Sequence, residues 1–254
     1  MGRHLVSIRS TIDPSQEGSR GVRIDDVAEP RVLKMTRDMG LGGTTKPADP
    51  LETGAAKLAN SKLKRNLYFI GAFFGLLVLT PLFIAVSALI MLESPGSPLF
   101  RQRRSGYGGA TFVIYKFRTM RVVEDGPVVV QAKRDDQRVT TIGALLRRTS
   151  VDELPQLINV LKGEMSLVGP RPHALAHDDY YGARIPEYDL RFKTKPGLTG
   201  LAQVEGRRGP TPDVASMAAR VEKDLDYIRE WSFVFDIKIL LRTVLIFAFH
   251  PAAY

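Results

Sequence analysis

The feature of this sequence that most limits its fold is an apolar segment at residues 66–92. It contains 27 consecutive residues without a charged side chain. A helix rises about 1.5 Å per residue and the hydrocarbon core of a bilayer is about 30 Å thick, so a helix of this length would reach across it. The segment begins too far along the chain, behind a polar leader, to be an ordinary signal peptide. We therefore predict a chain anchored in a membrane.

The apolar segment contains a candidate break at Thr80 and Pro81. Proline removes a backbone N–H and its ring clashes with the preceding turn, while Thr80 could bond to a freed carbonyl. Positive charge normally marks the cytoplasmic side of a membrane helix, and here basic clusters flank both ends, at residues 62–65 and 101–104. The pattern favours a re-entrant helix that breaks at Pro81 and returns to the same face. A tilted, kinked span is the alternative.

The charge balance of the chain indicates an anionic partner. The 254 residues carry a formal net charge of +9 and include no cysteine. Nucleic acid, a lipid surface or a phosphorylated substrate could each supply the negative charge. The lack of cysteine excludes disulfides and thiolate chemistry.

Periodicity predicts a mostly helical α+β chain with one small β-hairpin. Residues 106–120 contain a glycine turn followed by strand-like alternation, and an amphipathic helix capped by Thr140 or Thr141 is predicted at 138–148. Further helices are predicted at 24–39, 212–231 and 231–249. The last of these is apolar but carries three charges, so we expect it to lie along the membrane interface rather than to cross the bilayer. The charges are Asp236, Lys238 and Arg242.

Two adjacent carboxylates, Asp152 and Glu153, precede Pro155. Proline fits in the first turn of a helix, so a helix is predicted at 155–162 with both acids at or just before its N-terminus, where a helix favours negative charge. Ser150 and Glu153 also fit a capping box, in which the acid only binds free backbone N–H groups. Pro155 weakens that interpretation, because a cap at Ser150 would place the proline at the fifth helical position.

Basic and amide side chains surround the acid pair in the sequence. The candidates are Lys116 and Arg118 on the predicted strand, Arg147 upstream of the pair, Arg171 downstream, and Gln203 and Arg207 in a glycine-rich loop predicted at 195–207. Two carboxylates and several guanidinium groups at one helix end can hold a divalent cation and a diphosphate together. Simpler roles stay open, since arginines also complement helix dipoles and bind lipid head groups.

Several separated motifs resemble the bacterial sugar transferase family, the monotopic polyprenol-phosphate phosphoglycosyl transferases. In chain order they are Thr80-Pro81, Lys116-Phe117-Arg118-Thr119-Met120, Asp152-Glu153-Leu154-Pro155-Gln156, the stretch 165–172 and Pro196-Gly197-Leu198-Thr199-Gly200. The similarity runs from about Lys62 to the C-terminus. It departs from the family at Thr80, where serine is common, and the leader 1–60 matches nothing in the family core.

The resemblance implies transfer of a sugar 1-phosphate from a UDP-sugar to a polyprenol phosphate such as undecaprenyl phosphate, with release of UMP. It gives Asp152 the role of nucleophile, through a covalent phosphosugar-aspartyl intermediate, and it implies Mg²⁺ held by Glu153 and Asp152. The side chains expected to bind the phosphates are Lys116, Arg118, Arg147, Arg171 and Arg207, with Gln203 as a weaker contact. Such a reaction would be the first membrane step of exopolysaccharide, capsule or other glycoconjugate synthesis.

This interpretation divides the chain into three parts. They are a largely disordered extension at 1–60, a re-entrant membrane helix at 61–93, and a catalytic domain with a C-terminal interfacial helix at 94–254. The resemblance implies a location on the cytoplasmic face of a bacterial inner membrane, with anionic membrane lipids as further partners and no nucleic acid. The identity of the sugar and a homodimeric state stay open. The alternative is a membrane-tethered basic nucleic-acid-binding protein without catalysis, which gives no reason for a carboxylate pair among the arginines.

Overall fold

The computed structural model describes residues 49–121, 136–209 and 211–249. Its α-helices are α1 (Pro50–Asn60), α2 (Lys62–Glu93), α3 (Thr141–Thr149), α4 (Leu157–Leu161), α5 (Leu175–Gly182), α6 (Leu201–Val204), α7 (Val214–Glu230) and α8 (Phe233–Phe249). Its strands are β1 (Leu99–Ser105), β2 (Thr111–Phe117), β3 (Ser166–Val168) and β4 (Gly197–Thr199). Short 3₁₀ helices occupy Tyr107–Gly109, Val151–Gln156 and Tyr188–Lys193. The mostly helical fold with one small antiparallel hairpin is confirmed, and the helix predicted at 24–39 lies outside the described residues.

The described chain begins with α1, inside the segment predicted to be largely disordered. Asp49 caps this helix by accepting a hydrogen bond from the backbone N–H of Leu51 at 3.0 Å, and Pro50 occupies the first helical position. Gly54 lies against the backbone of α7, where a Cβ would overlap the carbonyl oxygen of Ile228. The folded part therefore starts before the predicted boundary at residue 61.

The predicted membrane helix is present as α2, which continues through Pro81 without interruption. The hydroxyl of Thr80 donates to the carbonyl of Leu76 at 2.8 Å. Proline removes a single N–H donor, and a helix in apolar surroundings tolerates that loss when side chains bond to nearby carbonyls. The predicted break at Pro81 therefore does not interrupt the helix. α2 is the one helix among the described residues that is long and apolar enough to cross a membrane.

Both ends of α2 pack against the rest of the fold. Tyr68 and Ala72, near its start, belong to the main hydrophobic core. Val86 and Ile90, near its end, form a second core with Phe117 of β2 and Leu146 of α3. The large exposed apolar side chains of α2 are Leu63, Leu67, Phe69, Ile70, Phe73, Phe74, Leu77, Val78, Leu82, Ile84, Leu89, Met91 and Leu92. One face of α2 is thus held by protein along its length while another face is left uncovered.

The predicted hairpin is formed by β1 and β2, which pair antiparallel. Its turn contains Gly108, whose φ of 65° lies in the left-handed region that glycine adopts without strain. Asn159 of α4 fixes β2, because its amide nitrogen donates to the carbonyl of Val113 at 2.6 Å and its side-chain oxygen accepts from the backbone N–H of Tyr115 at 3.1 Å. This attachment places Lys116, the next residue, beside the 3₁₀ helix that follows α3.

The glycine-rich segment predicted as a loop contains β4 and α6. β4 pairs in parallel with β3, with Ser166 opposite Gly197 and Val168 opposite Thr199. A Cβ on Gly197 would overlap the backbone of Gly169, so glycine permits the two strands to meet. The loop prediction is wrong for residues 197–204, because the glycines allow close backbone packing there.

A buried charge pair fastens α2 to α8. The Nζ of Lys64 lies 2.9 Å from the carboxylate of Asp236, which also accepts from the Tyr227 hydroxyl at 2.7 Å and from the Trp231 indole N–H at 3.0 Å. Asp236 is therefore fully buried in protein, although it is one of the three charges from which an interfacial position of this helix was predicted. Among the side chains of α8 that the structure describes, the large exposed apolar ones are Val234, Leu241, Val244 and Leu245.

Candidate active site

The acid pair lies in a 3₁₀ helix instead of at the start of an α-helix. α3 ends at Thr149, and Ser150 adopts a left-handed φ of 58° that turns the chain. The 3₁₀ helix Val151–Gln156 follows, with Pro155 inside it, and only then does α4 begin. Asp152 and Glu153 occupy the first turn of this short helix. Their predicted place near a helix N-terminus is thus confirmed, but the type of helix is different.

The capping-box interpretation of Glu153 is wrong. Ser150 makes no side-chain cap bond, and the Glu153 carboxylate instead contacts two cations. Arg171 binds it with both terminal nitrogens, at 3.0 Å to Oε2 and 2.5 Å to Oε1, and the Nζ of Lys116 lies 2.8 Å from Oε1. Charge-assisted and bidentate bonds of this kind are stronger than a cap to a neutral backbone N–H. Glu153 is buried, so these partners determine its charge state.

The surroundings of Asp152 and Glu153 shift the pKa values of the two acids in opposite directions. Burial raises the pKa of Asp152 to about 6, and the neighbouring Glu153 carboxylate adds to the increase. Burial would also raise the pKa of Glu153, but the guanidinium of Arg171 and the ammonium of Lys116 hold that pKa well below its ordinary value. Glu153 is therefore ionised at neutral pH, while Asp152 titrates close to it. A pair of neighbouring acids with divergent pKa values is typical of catalytic sites.

Arg147 is the third predicted cation that the structure brings to the pair. Its Nε donates to the hydroxyl of Thr119 at 2.9 Å, which directs the side chain from α3 toward the end of β2. Its positive charge favours the ionised form of Asp152 and so partly offsets the increase in pKa caused by burial. Lys116, Arg147 and Arg171 thus come from three separate segments and converge on one acid pair.

The structure does not bring Arg118 and Arg207 to the acid pair. Arg118 is buried and donates to the carbonyl oxygens of Pro95 at 2.5 Å and Ser94 at 2.7 Å, just past the end of α2. The side chain of Arg207 is exposed and forms no hydrogen bond or ion pair within the described residues. Arg208, which the sequence analysis did not select, donates instead to the hydroxyl of Ser150, two residues before Asp152.

Gln203 lies in α6, close to the same region. Its amide nitrogen donates to the carbonyl of Leu198 at 3.3 Å, and its side-chain oxygen is buried without a hydrogen-bond partner among the described residues. The structure therefore places Gln203 beside the site but attaches its amide to the backbone.

A buried network behind Arg171 was missed by the sequence analysis. Arg191 donates to the backbone carbonyl of Arg171 at 2.5 Å, to the carboxylate of Asp224 at 2.8 Å and to Nδ1 of His173 at 3.1 Å. Because burial and the Arg191 charge lower the pKa of His173 well below its ordinary value, this imidazole is neutral. The network fixes the backbone from which the Arg171 side chain reaches Glu153.

The carboxylate pair fits a divalent cation only as part of a shared site. Among the described residues, no group of three or more His, Asp or Glu side chains could hold a metal ion by itself. Mg²⁺ in phosphoryl-transfer sites is commonly bound by one or two carboxylates together with substrate phosphates. Asp152 and Glu153 supply two such carboxylates, and a cation bound to Asp152 would offset the burial and the Glu153 charge that raise its pKa.

Comparison with known proteins identifies related sequences. The chain matches the family model described as bacterial sugar transferase over residues 59–250. It is 55% identical over 201 residues to the UDP-glucose:undecaprenyl-phosphate glucose-1-phosphate transferase of Caulobacter vibrioides, covering 79% of this chain and 74% of that protein. It is 49% identical over 208 residues to the protein of the same name from Escherichia coli strain K12, covering 82% of this chain and 45% of that protein.

A shorter relative matches over nearly its whole length. The exopolysaccharide production protein PSS of Rhizobium leguminosarum bv. phaseoli is 47% identical over 186 residues, which cover 72% of this chain and 93% of that protein. These relatives and the family match confirm that the chain is a phosphoglycosyl transferase, and they favour the enzyme over the nucleic-acid-binding alternative. The chain belongs to the bacterial sugar transferase family.

Proposed function

We propose that this enzyme transfers a sugar 1-phosphate from a UDP-sugar to undecaprenyl phosphate and releases UMP, as an early step of exopolysaccharide or glycoconjugate synthesis. The names of two relatives specify UDP-glucose and undecaprenyl phosphate, so UDP-glucose is the first donor to test. One observation carries the proposal. Asp152, with a pKa raised to about 6 by burial and Glu153, lies beside a carboxylate that Arg171 and Lys116 keep ionised.

In the first step, a carboxylate oxygen of Asp152 attacks the phosphorus atom that carries the sugar. A bond forms between that oxygen and the phosphorus, and the bond to the bridging oxygen breaks, so UMP leaves with the electron pair. Lys116, Arg147 and Arg171 would bind the phosphate oxygens, whose negative charge would otherwise repel the carboxylate. A Mg²⁺ ion held by Asp152 and Glu153 would add Lewis-acid stabilisation of the charge on the phosphates.

In the second step, a phosphate oxygen of the lipid acceptor attacks the same phosphorus. The bond to Asp152 breaks, which regenerates the carboxylate and releases a polyprenyl diphosphate sugar. Neither step requires a net transfer of a proton to Asp152. Arg118 is held by backbone carbonyls just past α2, and Arg207 contacts neither acid, so we assign the phosphate contacts first to Lys116, Arg147 and Arg171.

We also propose that α2 enters the membrane without crossing it, with the catalytic domain on the cytoplasmic face. A helix of 32 residues is about 48 Å long, so a crossing helix would leave its two ends on opposite sides of the bilayer. Here Tyr68 near one end packs in the main core and Ile90 near the other packs in the second core, and β2 contributes side chains to both cores. Such a helix would lie in one leaflet and hold the acid pair near the lipid surface, where the acceptor phosphate is found.

Turnover assays test the reaction directly. The purified protein is incubated with Mg²⁺, undecaprenyl phosphate and a panel of UDP-sugars, and UMP release is measured. We expect sustained release with at least one UDP-sugar and release at background level for Asp152→Asn. The matched control is Asp189→Asn, which removes an exposed carboxylate elsewhere on the surface and should retain wild-type turnover. Turnover by folded Asp152→Asn at the wild-type rate would contradict the assignment.

A further inference from the structure

A cavity of about 260 Å³ lies next to the acid pair and beneath α8. Its apolar wall is formed by Leu154, Leu167, Leu198, Val204, Leu240 and Ile246. Polar side chains also line it, among them Ser150, Glu153 and Arg208. Small-molecule pockets usually measure about 300–1,000 Å³, so this cavity is too small and too apolar for a nucleotide sugar. It suits one end of an apolar molecule that carries a charged group.

We propose that this cavity binds the lipid acceptor, with the acceptor phosphate at Arg208 and Ser150 and the adjoining isoprenoid units against α8. The inference rests on the proposed function, because it assigns one of the two substrates of that reaction to a defined place. It also gives a role to Arg208, a cation outside the set that surrounds the Glu153 carboxylate.

The polar end of the cavity is correctly placed for a second phosphate. The guanidinium of Arg208 donates to the hydroxyl of Ser150, and the backbone N–H of Glu153 donates to the carbonyl of Ser150 at 3.2 Å. Ser150 and Glu153 are therefore one 3₁₀ turn apart and both line the cavity, whereas Asp152, which lies between them in the sequence, does not. A phosphate bound at Arg208 would therefore lie beside the short helix that carries Asp152.

Two phosphate-bearing substrates need separate cations, because their like charges repel each other. Lys116 and Arg171 contact the Glu153 carboxylate from the side of β2 and the segment after β3. Arg208 contacts Ser150 on the side of the cavity instead. The donor diphosphate and the acceptor phosphate can therefore approach Asp152 from different sides, as an attack on a covalent intermediate requires.

The apolar end of the cavity is bounded by a helix that also has an exposed apolar face. Leu240, Thr243 and Ile246, three residues apart along α8, line the cavity, while the neighbouring residues Leu241 and Val244 are exposed. The hydroxyls of Thr199 and Thr243 lie 2.8 Å apart, and Thr243 donates to the carbonyl of Ile239 at 2.8 Å, so these two hydroxyls are satisfied within the protein. α8 would thus lie between the bound isoprenoid units and the bilayer. The rest of the prenyl chain would continue past α8 into the bilayer.

The two half-reactions provide the test. Wild-type enzyme is first mixed with UDP-glucose and Mg²⁺ alone, and formation of the covalent adduct and release of UMP are followed. Undecaprenyl phosphate is then added and loss of the adduct is timed. Arg208→Gln, which removes the phosphate-binding charge, and Leu240→Trp, which fills the cavity, should form the adduct at rates within about twofold of wild type. Loss of the adduct should be roughly 10- to 100-fold slower at low acceptor concentration.

Matched controls separate this effect from general damage. Arg229→Gln removes an arginine charge on α7, and Leu241→Trp adds the same bulk to the exposed neighbour of Leu240; neither should slow loss of the adduct. If Arg208→Gln and Leu240→Trp slow both half-reactions equally, or leave the acceptor step unchanged, the assignment is overturned.

Acceptor binding measured without a donor distinguishes this assignment from the proposed function. Undecaprenyl phosphate should raise the thermal unfolding temperature of wild type and of both controls, but not that of Arg208→Gln or Leu240→Trp. If wild type forms no adduct and the lipid still protects in this pattern, the covalent mechanism fails and the acceptor site stands. Equal protection of all five proteins would overturn the acceptor site alone.

Discussion

Asp152 and Glu153 are chemically similar neighbours with different contacts, and the roles proposed for them follow from that difference. Glu153 accepts from Arg171 and Lys116, whereas the half-buried Asp152 has no ion pair with a described residue. The charge of Glu153 is therefore compensated by direct contacts, whereas that of Asp152 is offset only in part, by the charges of nearby cations such as Arg147. A carboxylate that is ionised at neutral pH but weakly compensated is a better nucleophile than one already held by two cations.

The raised pKa of Asp152 predicts the acid limb of the pH profile. Nucleophilic attack needs the ionised form, and burial with the Glu153 charge moves the pKa from the ordinary value of 3.8 to about 6. With UDP-glucose as donor, kcat/KM of the free enzyme should therefore fall about tenfold per pH unit below about pH 6. A profile that stays flat down to pH 4.5 would contradict this. Raising the Mg²⁺ concentration should move the limb to lower pH, because a cation favours the ionised form.

Substitution of Arg171 tests whether activity depends on the geometry of this cation as well as on its charge. Arg171→Lys keeps the positive charge but cannot bind the Glu153 carboxylate through two parallel N–H groups. We expect kcat/KM to fall roughly 10- to 100-fold, since charge-assisted hydrogen bonds contribute about 1.5–3 kcal/mol each. The control Arg148→Lys changes an exposed arginine and should behave as wild type. Equal activity of the two variants would show that charge alone suffices.

The sequence could identify the acid pair and three of its cations, because Lys116, Arg147 and Arg171 lie near motif residues or near the pair itself. It could not distinguish Arg207 from Arg208, since adjacent residues differ in direction only once α6 and the turn after it are formed. Asp224 was predictable in principle. It lies three residues after Val221 and one before Leu225, so helical periodicity places it on the buried stripe of α7.

At the scale of the elements, sequence periodicity does not predict the local structure of the segment that carries Asp152 and Glu153. Helix propensity and Pro155 predict a helix near this position, but not the left-handed φ of Ser150 or the 3₁₀ form. Those depend on how α3 and α4 are held by their neighbours. The signal for α1, an aspartate before a proline, was present at Asp49 and Pro50, but the glycine-rich sequence before it favoured a linker.

The packing of α1 on α7 predicts an unusual effect of a glycine substitution. Gly54→Ala should favour α1 by about 1 kcal/mol through helix propensity alone. The added Cβ would overlap the carbonyl oxygen of Ile228, however, so the two helices must separate. We expect a net loss of stability, seen as a lower thermal unfolding temperature. Thr53→Ala, on the exposed side of the same helix, should cause no loss, and a more stable Gly54→Ala would contradict this packing.

At the scale of the whole molecule, the main result is that both ends of α2 pack against the rest of the folded chain. The basic flanks and Pro81 predicted the helix and its return to one face of the membrane. In the structure α2 has no break, and its C-terminal end is held by contacts such as that of Glu93, whose carboxylate accepts from the backbone N–H groups of Thr141 and Ile142. Those contacts join residues far apart in the chain, so local pattern could not predict them.

The membrane topology can be tested by labelling, because the chain has no cysteine of its own. Lys62→Cys and Ser97→Cys place single thiols just inside the start and just beyond the end of α2, and both positions are exposed. In inverted membrane vesicles, which present the cytoplasmic face, both should react with an impermeant maleimide, and in intact spheroplasts neither should. Reaction of one position in each preparation would show that α2 crosses the bilayer.

The covalent intermediate on Asp152 is the central claim, and peptide mass spectrometry tests it most directly. The enzyme is incubated with UDP-glucose and Mg²⁺ without acceptor, quenched in acid, digested and mapped. We predict one sugar phosphate on the peptide that contains Asp152, attached at that residue, together with one UMP released per chain. UMP released only after undecaprenyl phosphate is added, with no modified peptide, would show direct transfer between substrates and would contradict the account.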